Sequence, residues 1–212
     1  MAVLNKWLDW VTKIAYLNIL WIAFSIAGLV VFGLFPALTA TFTVARNWVT
    51  GKSDLPVFRT FWNAYKQEFV KSNLLGYVLS IIGYILYLDF VFLTISSNAY
   101  VSMLTIPFVL IASIFVLSAL YVFPTFVYYE MKLFQVIKNA FFIMIMNPLP
   151  TITMVIGVGS IIIILWTFQG LAIFFSTSLL AVVIMLAAQR AFKKVNEKQQ
   201  LYAEQTASHV IK

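Results

Sequence analysis

Five stretches of almost unbroken apolar sequence limit what this chain can fold into: Ile14–Phe32, Leu74–Leu93, Ser102–Phe123, Thr151–Thr167 and Gly170–Ala188. Each approaches or reaches the ~20 residues that carry an α-helix across a bilayer core of about 30 Å. In hydrocarbon every backbone N–H and C=O must be bonded within the chain, which leaves helices and closed barrels. The runs are continuously apolar and lack the alternation of barrel strands, so the expected class is all-α, a polytopic transmembrane helix bundle. Only 10% of the residues are charged, where a soluble domain carries about 25%.

The first run is longer than the ~15-residue limit of a secretory h-region, and no A-x-A-like site follows it, so it reads as a retained span. Zero cysteines exclude disulfides, thiolate metal sites and cysteine nucleophiles. The net charge of +7 does not point to nucleic acid, because no basic domain stands apart from the spans. It reads instead as an orientation signal, since Lys and Arg concentrate in cytoplasmic loops. Arg46, Lys52, Arg59, Lys66 and Lys71 precede the Leu74 run, and Lys132 and Lys138 precede the Thr151 run. Arg190, Lys193, Lys194, Lys198 and Lys212 follow the last run, whereas Thr94–Val101 and Phe168–Gln169 carry no charge.

That pattern turns on "GLFPALTATFTVARNWVTGKSD", Gly33 to Asp54. A single crossing from Ile14 to Ala45 strands Lys6 and Lys13 on the outer side. A turn at Gly33–Pro36, followed by a short returning helix from Ala37 to about Val49, keeps every Lys and Arg inside. Pro36 suits the first turn of a new helix, where a missing N–H costs nothing, and Gly51 suits its close. The expected architecture is six membrane helices, the second one short, with both termini in the cytoplasm. Five crossings is the alternative.

Two further segments read as amphipathic helices on the cytoplasmic face. In Leu55–Asn73 the aromatic residues Phe58, Phe61, Trp62, Tyr65 and Phe69 recur at helical spacing, with Arg59 and Lys66 between them, and Ser53 or Asp54 is the expected N-cap. Such a helix lies in the headgroup layer. Tyr128–Pro150, with Lys138, is the second. Arg59, Trp62, Lys66 and Lys138 are the candidate partner contacts. Residues 1–195 read as one transmembrane domain, and 196–212 as a polar cytoplasmic tail that frays.

Several spans carry polar or small residues at steps of three and four, placing each set on one helix face. These are Asn18, Trp21 and Ser25; Thr39, Thr43 and Asn47; Asn73, Tyr77, Ser80, Tyr84 and Tyr87; and Thr153, Gly157 and Ser160. Two readings are open. Small residues let helices approach and hydroxyls bond across them. Alternatively Asn18, Ser25, Thr39, Thr43, Tyr77, Ser80, Tyr84 and Ser160 converge on a polar cavity for a hydroxyl-rich solute. Asp89, the one acid inside an apolar run, lies near the outer end of its span and points away from the Tyr77/Tyr84 face; it reads as an interfacial anchor. No catalytic constellation appears: His209, the lone histidine, sits in the tail, and there is no P-loop, acid dyad or metal cluster. No enzyme activity, cofactor or metal is expected.

The segments Gly33–Leu79 and Tyr121–Leu149, above all Gly33–Pro36, Arg46, Trp48, Gly51, Phe61–Trp62, Asn73–Gly76, Pro124, Lys138–Ala140 and Pro148, resemble the YesL family of small bacterial membrane proteins. The similarity spans Leu4 to about Lys194. It implies a role connected with carbohydrate import, as an accessory or modulator of a sugar ABC-type importer whose permease subunits are the partners. It carries over no binding residues. The segment "FVYYE" after Pro124, Phe126–Glu130, departs from the family, where a basic residue is more often expected. Autonomous solute transport, and membrane-embedded sensing or regulation, are the other functions in view.

Overall fold

In a computed structural model, which describes residues 2–95 and 103–210, the chain is all-helical, with no strand among the described residues. The helices are α1 (Ala2–Ala27), α2 (Leu34–Val49), α3 (Val57–Gln67), α4 (Phe69–Ile95), α5 (Thr105–Tyr128), α6 (Leu133–Met146), α7 (Pro148–Thr167) and α8 (Gln169–Val210). Five of them, α1, α4, α5, α7 and α8, are long and apolar enough to cross a membrane. The chain is a helical membrane protein. Most of Thr94–Val101, the expected outer loop, lies outside the described residues.

The short returning helix is present. Pro36 occupies the first turn of α2, and the helix ends in a Schellman motif: the Lys52 N–H reaches the Asn47 carbonyl at 2.8 Å and the Gly51 N–H reaches that of Trp48 at 3.1 Å. Gly51 takes φ +85°, a left-handed value that costs glycine nothing. Trp10 packs edge-on against Trp48, ring centroids 5.5 Å apart, at one end of the α1–α2 pair. At the other end a Cβ on Gly28 would collide with the Cα of Gly33. The two helices therefore run antiparallel, joined by a turn tight enough to need both glycines.

This sixteen-residue helix is the hub of the bundle. It touches α1, α3, α4, α5 and α8, and buries Ala37, Thr39, Ala40, Thr41, Phe42, Val44 and Ala45. Small side chains at these positions let neighbouring backbones come close, which is how helices associate where lipid removes any hydrophobic drive. Two clusters form around it. One gathers Leu17, Leu20, Ala40, Val44 and Phe61; the other joins Phe42 and Ala45 to Tyr121, Val136, Met154, Met185 and Phe192.

The expectations for the first amphipathic segment and for the tail need correction. The amphipathic segment does not form one helix over Leu55–Asn73. It stops at Glu68, and Phe69–Asn73 begins α4 instead. Its N-cap is Pro56, not Ser53 or Asp54, and no side chain caps it. Nor does it only rest on a headgroup layer: Phe61 and Tyr65 are buried, and Phe24 of α1 packs among Phe61, Trp62 and Tyr65 at 5.2–5.3 Å. The tail does not leave the helix at Asn196, because α8 runs on to Val210.

Asn18 joins α1 to α8. It is fully buried; its Nδ2 donates to the Ile173 carbonyl at 2.7 Å, and its Oδ1 accepts from the Thr177 and Ser178 N–H groups at 3.0 and 3.1 Å. Ile173 and Thr177 are partners four apart in the α8 ladder, so the amide inserts at that step, a known way to bend a helix. Replacing it with the similarly sized leucine should lower the stability of the detergent-solubilised protein by about 1–2 kcal/mol. Reversible unfolding measures this, and an Asn18→Leu curve that overlays wild type contradicts the assignment.

Candidate functional site

The α1–α2 turn creates the first polar problem the fold has to solve. Leu29 and Val30 have φ of 57° and 63°, a left-handed conformation that is rare for a β-branched residue. Because Pro36 has no N–H, the Phe32 carbonyl lacks the donor that a helix would offer four residues on. Asn73 at the start of α4 supplies it: Nδ2 donates to Phe32 O at 2.9 Å. One turn further, the Tyr77 hydroxyl donates to Val31 O at 2.8 Å, and Tyr65 of α3 donates to Phe24 O at 3.3 Å. Phe35 lies directly on Gly76, where any Cβ would meet its ring, and packs edge-on against Tyr77 at 5.5 Å. Burial pushes the Tyr65 hydroxyl above its ordinary pKa, keeping it a donor.

The polar stripes otherwise do not converge on one cavity. Asn18 is spent on α8. Ser25 is buried without a hydrogen-bond partner. Thr43 returns its hydroxyl to Thr39 O at 2.9 Å, Ser80 to Gly76 O at 2.9 Å, and Ser160 to Ile156 O at 2.8 Å. Ser80 and Ser160 are exposed on the outside of the bundle, and Tyr84 is 62% exposed. Asp89 is exposed as well. The spacing had placed each residue on the right face of its helix; helix packing then turned most of those faces to a neighbour's backbone or to the outside.

What does converge is charge. Arg46 donates to the Val127 carbonyl in the last turn of α5, where a cation also suits the helix dipole. This brings the end of α2, the α3–α4 junction and the α5–α6 link around a recess of about 600 Å³. Its lining includes Thr39, Thr43, Arg46, Glu68, Lys71, Tyr129 and Lys132. Tyr129 donates to Asn196 of α8 at 3.1 Å; burial, with a smaller contribution from Tyr128, pushes its hydroxyl up to about 12. Beside α8, Arg190, Lys193 and Lys194 surround the start of α7 at Leu149–Thr153 in a second recess. The basic segments thus gather at one end of the bundle. Of the candidate partner contacts, Arg59 and Lys138 are exposed, Lys66 is exposed and lies over the Trp62 ring at 4.4 Å, and Trp62 is half-buried.

Sequence spacing missed the pairing of Arg46 with Val127, the place of Glu68 in the recess, and a buried bond of 3.0 Å between Tyr121 and Thr151 that ties α5 to α7. The only advance signals were a cation at a helix end and an acid three residues before Lys71. Among the described residues no group of acidic or histidine side chains is arranged to hold a metal ion. The latch on the turn predicts a contrast between two tyrosines of one stripe. Tyr77→Phe should cost about 1 kcal/mol of unfolding free energy in mixed micelles, whereas Tyr84→Phe should change it by no more than a few tenths. Equal effects would contradict the latch.

No solved structure matches the chain. The family described as "Protein of unknown function, DUF624" matches residues 14–90, a stretch holding the second half of α1, the turn, α2, α3 and most of α4. Three proteins of Bacillus subtilis (strain 168) are similar over nearly the whole length. "Uncharacterized protein YesL" is 38% identical, covering 93% of this chain and 93% of its own. "Uncharacterized protein YesV" is 36% identical over 87% and 88%, and "Uncharacterized protein YteU" 34% over 91% and 86%. With the latched turn inside the matched region and the similarity covering 93% of the chain, the chain belongs to the YesL family of DUF624 proteins.

Proposed function

We propose that the protein is a non-catalytic accessory component of a membrane uptake system and docks to permease helices through α4. The family resemblance directs this reading to carbohydrate ABC-type importers of the bacterial cytoplasmic membrane. In that setting the basic end and both termini face the cytoplasm.

The supporting observation is the unpartnered length of α4. From Tyr77 to Ile95 no residue is buried, and α5 is its neighbour there, touching it at Gly83–Phe115 and Phe90–Phe108. Yet Tyr84 and Tyr87 project from this stretch, 62% and 59% exposed and stacked 6.4 Å apart. Neither hydroxyl bonds to a described residue. A hydroxyl left in hydrocarbon without a partner costs on the order of 1–3 kcal/mol, which a facing helix with a free acceptor removes. Autonomous transport has less support, because Asn18, Thr43, Tyr84 and Ser160 face different surroundings. A sensing role draws on the recess at the basic end.

Affinity purification in mild detergent should recover permease subunits of a carbohydrate ABC-type importer, and Tyr84→Leu/Tyr87→Leu should reduce that recovery at least fivefold while the protein stays folded. If the wild-type chain purifies alone and its deletion leaves sugar uptake unchanged, the proposal fails. A reporter that fluoresces only in the cytoplasm, fused after Lys212, should be bright; a dark fusion contradicts the orientation.

A further inference from the structure

One feature of the basic end takes no part in docking through α4: the recess of about 600 Å³ between α2, the α3–α4 junction and the α5–α6 link. That volume suits a small solute or a single lipid headgroup. Two polar atoms on its lining are buried and unbonded. Thr41 and Thr43 return their hydroxyls to the carbonyls four residues back, as helical threonines commonly do. Thr39, which is fully buried, does not, and its hydroxyl has no partner. The Glu68 Oε2 atom is also buried without a hydrogen bond, and the Lys71 ammonium stands 3.8 Å away. Leaving a buried hydroxyl and a buried carboxylate oxygen without hydrogen-bond partners is unfavourable, and both belong to residues that line the recess.

The charges around that space are mixed. Arg46, Lys71 and Lys132 line it together with Glu68 and Glu130. Arg46 has committed part of its guanidinium to Val127 and has further N–H donors to offer. A polyanion here meets two carboxylates, and a polycation meets three cations. A neutral sugar offers no countercharge to Arg46, Lys132 or Glu130, and leaves Glu68 and Lys71 with only each other. We infer that the recess binds a small zwitterion, its ammonium on Glu68, its anionic group on Arg46 and Lys132, and the Thr39 hydroxyl bonded to a polar atom between them. This site stands independently of any accessory role. The same chemistry comes from a free solute or from the phosphoethanolamine headgroup of a lipid.

The test uses the full chain in phosphatidylglycerol nanodiscs, reading the thermal unfolding midpoint. Glycerophosphoethanolamine is the soluble zwitterion; glycerol 3-phosphate, ethanolamine and glucose are the single-feature controls. A second set of discs contains phosphatidylethanolamine. The zwitterion, soluble or as lipid, should raise the midpoint, and the controls should not. Stabilisation by the soluble compound assigns a free solute, and stabilisation by the lipid alone assigns the headgroup. Thr39→Val should fold at least as stably as wild type without ligand, and both it and Glu68→Gln should weaken binding at least tenfold. The inference is overturned if neither zwitterion source stabilises the protein, if glucose or glycerol 3-phosphate does so equally well, or if both variants respond like wild type.

Discussion

Proline at position 36 removes one N–H from the first turn of α2, and much of the bundle is arranged around that absence. The Phe32 carbonyl, deprived of its helical donor, is met by Asn73 from α4. The neighbouring Val31 carbonyl is met by Tyr77, one turn along the same helix. Inside a membrane an irregular turn persists only when other parts of the protein satisfy its backbone. The turn and the start of α4 are therefore one unit, and Phe35 against Gly76 closes the gap between them.

From that unit the rest of the architecture follows. With its entry fixed, α2 lies among five other helices while being too short for an ordinary span. Its alanines admit close neighbours, and its far end delivers Arg46 to the last turn of α5. The two bonded ends set the height and rotation of α2. They also place Thr39 and Thr43 toward the charged recess and Ala37, Ala40 and Val44 toward α1 and α3. Polar residues elsewhere serve similar ends: Asn18 enters the α8 ladder and Thr151 meets Tyr121. Many polar atoms of the spans are consumed in this way, and the described residues offer no shared cavity for the stripes.

The fold was legible in the sequence to the extent that local physics decided it. Long apolar runs require helices, the charge distribution separates basic from uncharged links, and Pro36 with Gly51 marks the limits of α2. The boundary between α3 and α4 was not legible, because the aromatic periodicity runs smoothly past Glu68 and the break is made by packing against α1 and α2. The extent of α8 was missed because a polar composition after Asn196 argues for fraying, whereas the helix simply continues. For the candidate site, periodicity reported which face a polar residue occupies and was silent on what that face meets. Tyr77 and Tyr84 share a stripe, yet one bonds the Val31 carbonyl of the turn and the other faces outward. The recess was invisible for a related reason: its lining comes from three segments whose only sequence link is that each carries a charge near a helix end.

Hydrogen–deuterium exchange on the chain in nanodiscs tests the latch most directly, comparing wild type with Asn73→Leu. If the Asn73 amide holds the turn, Gly28–Leu34 amides exchange as slowly as helix interior in wild type. In the variant, exchange rises by at least tenfold across the turn and the first two turns of α2, while α7 and the membrane part of α8 keep their protection. Fast exchange of the wild-type turn, or a variant whose turn remains as protected as before, would contradict the account.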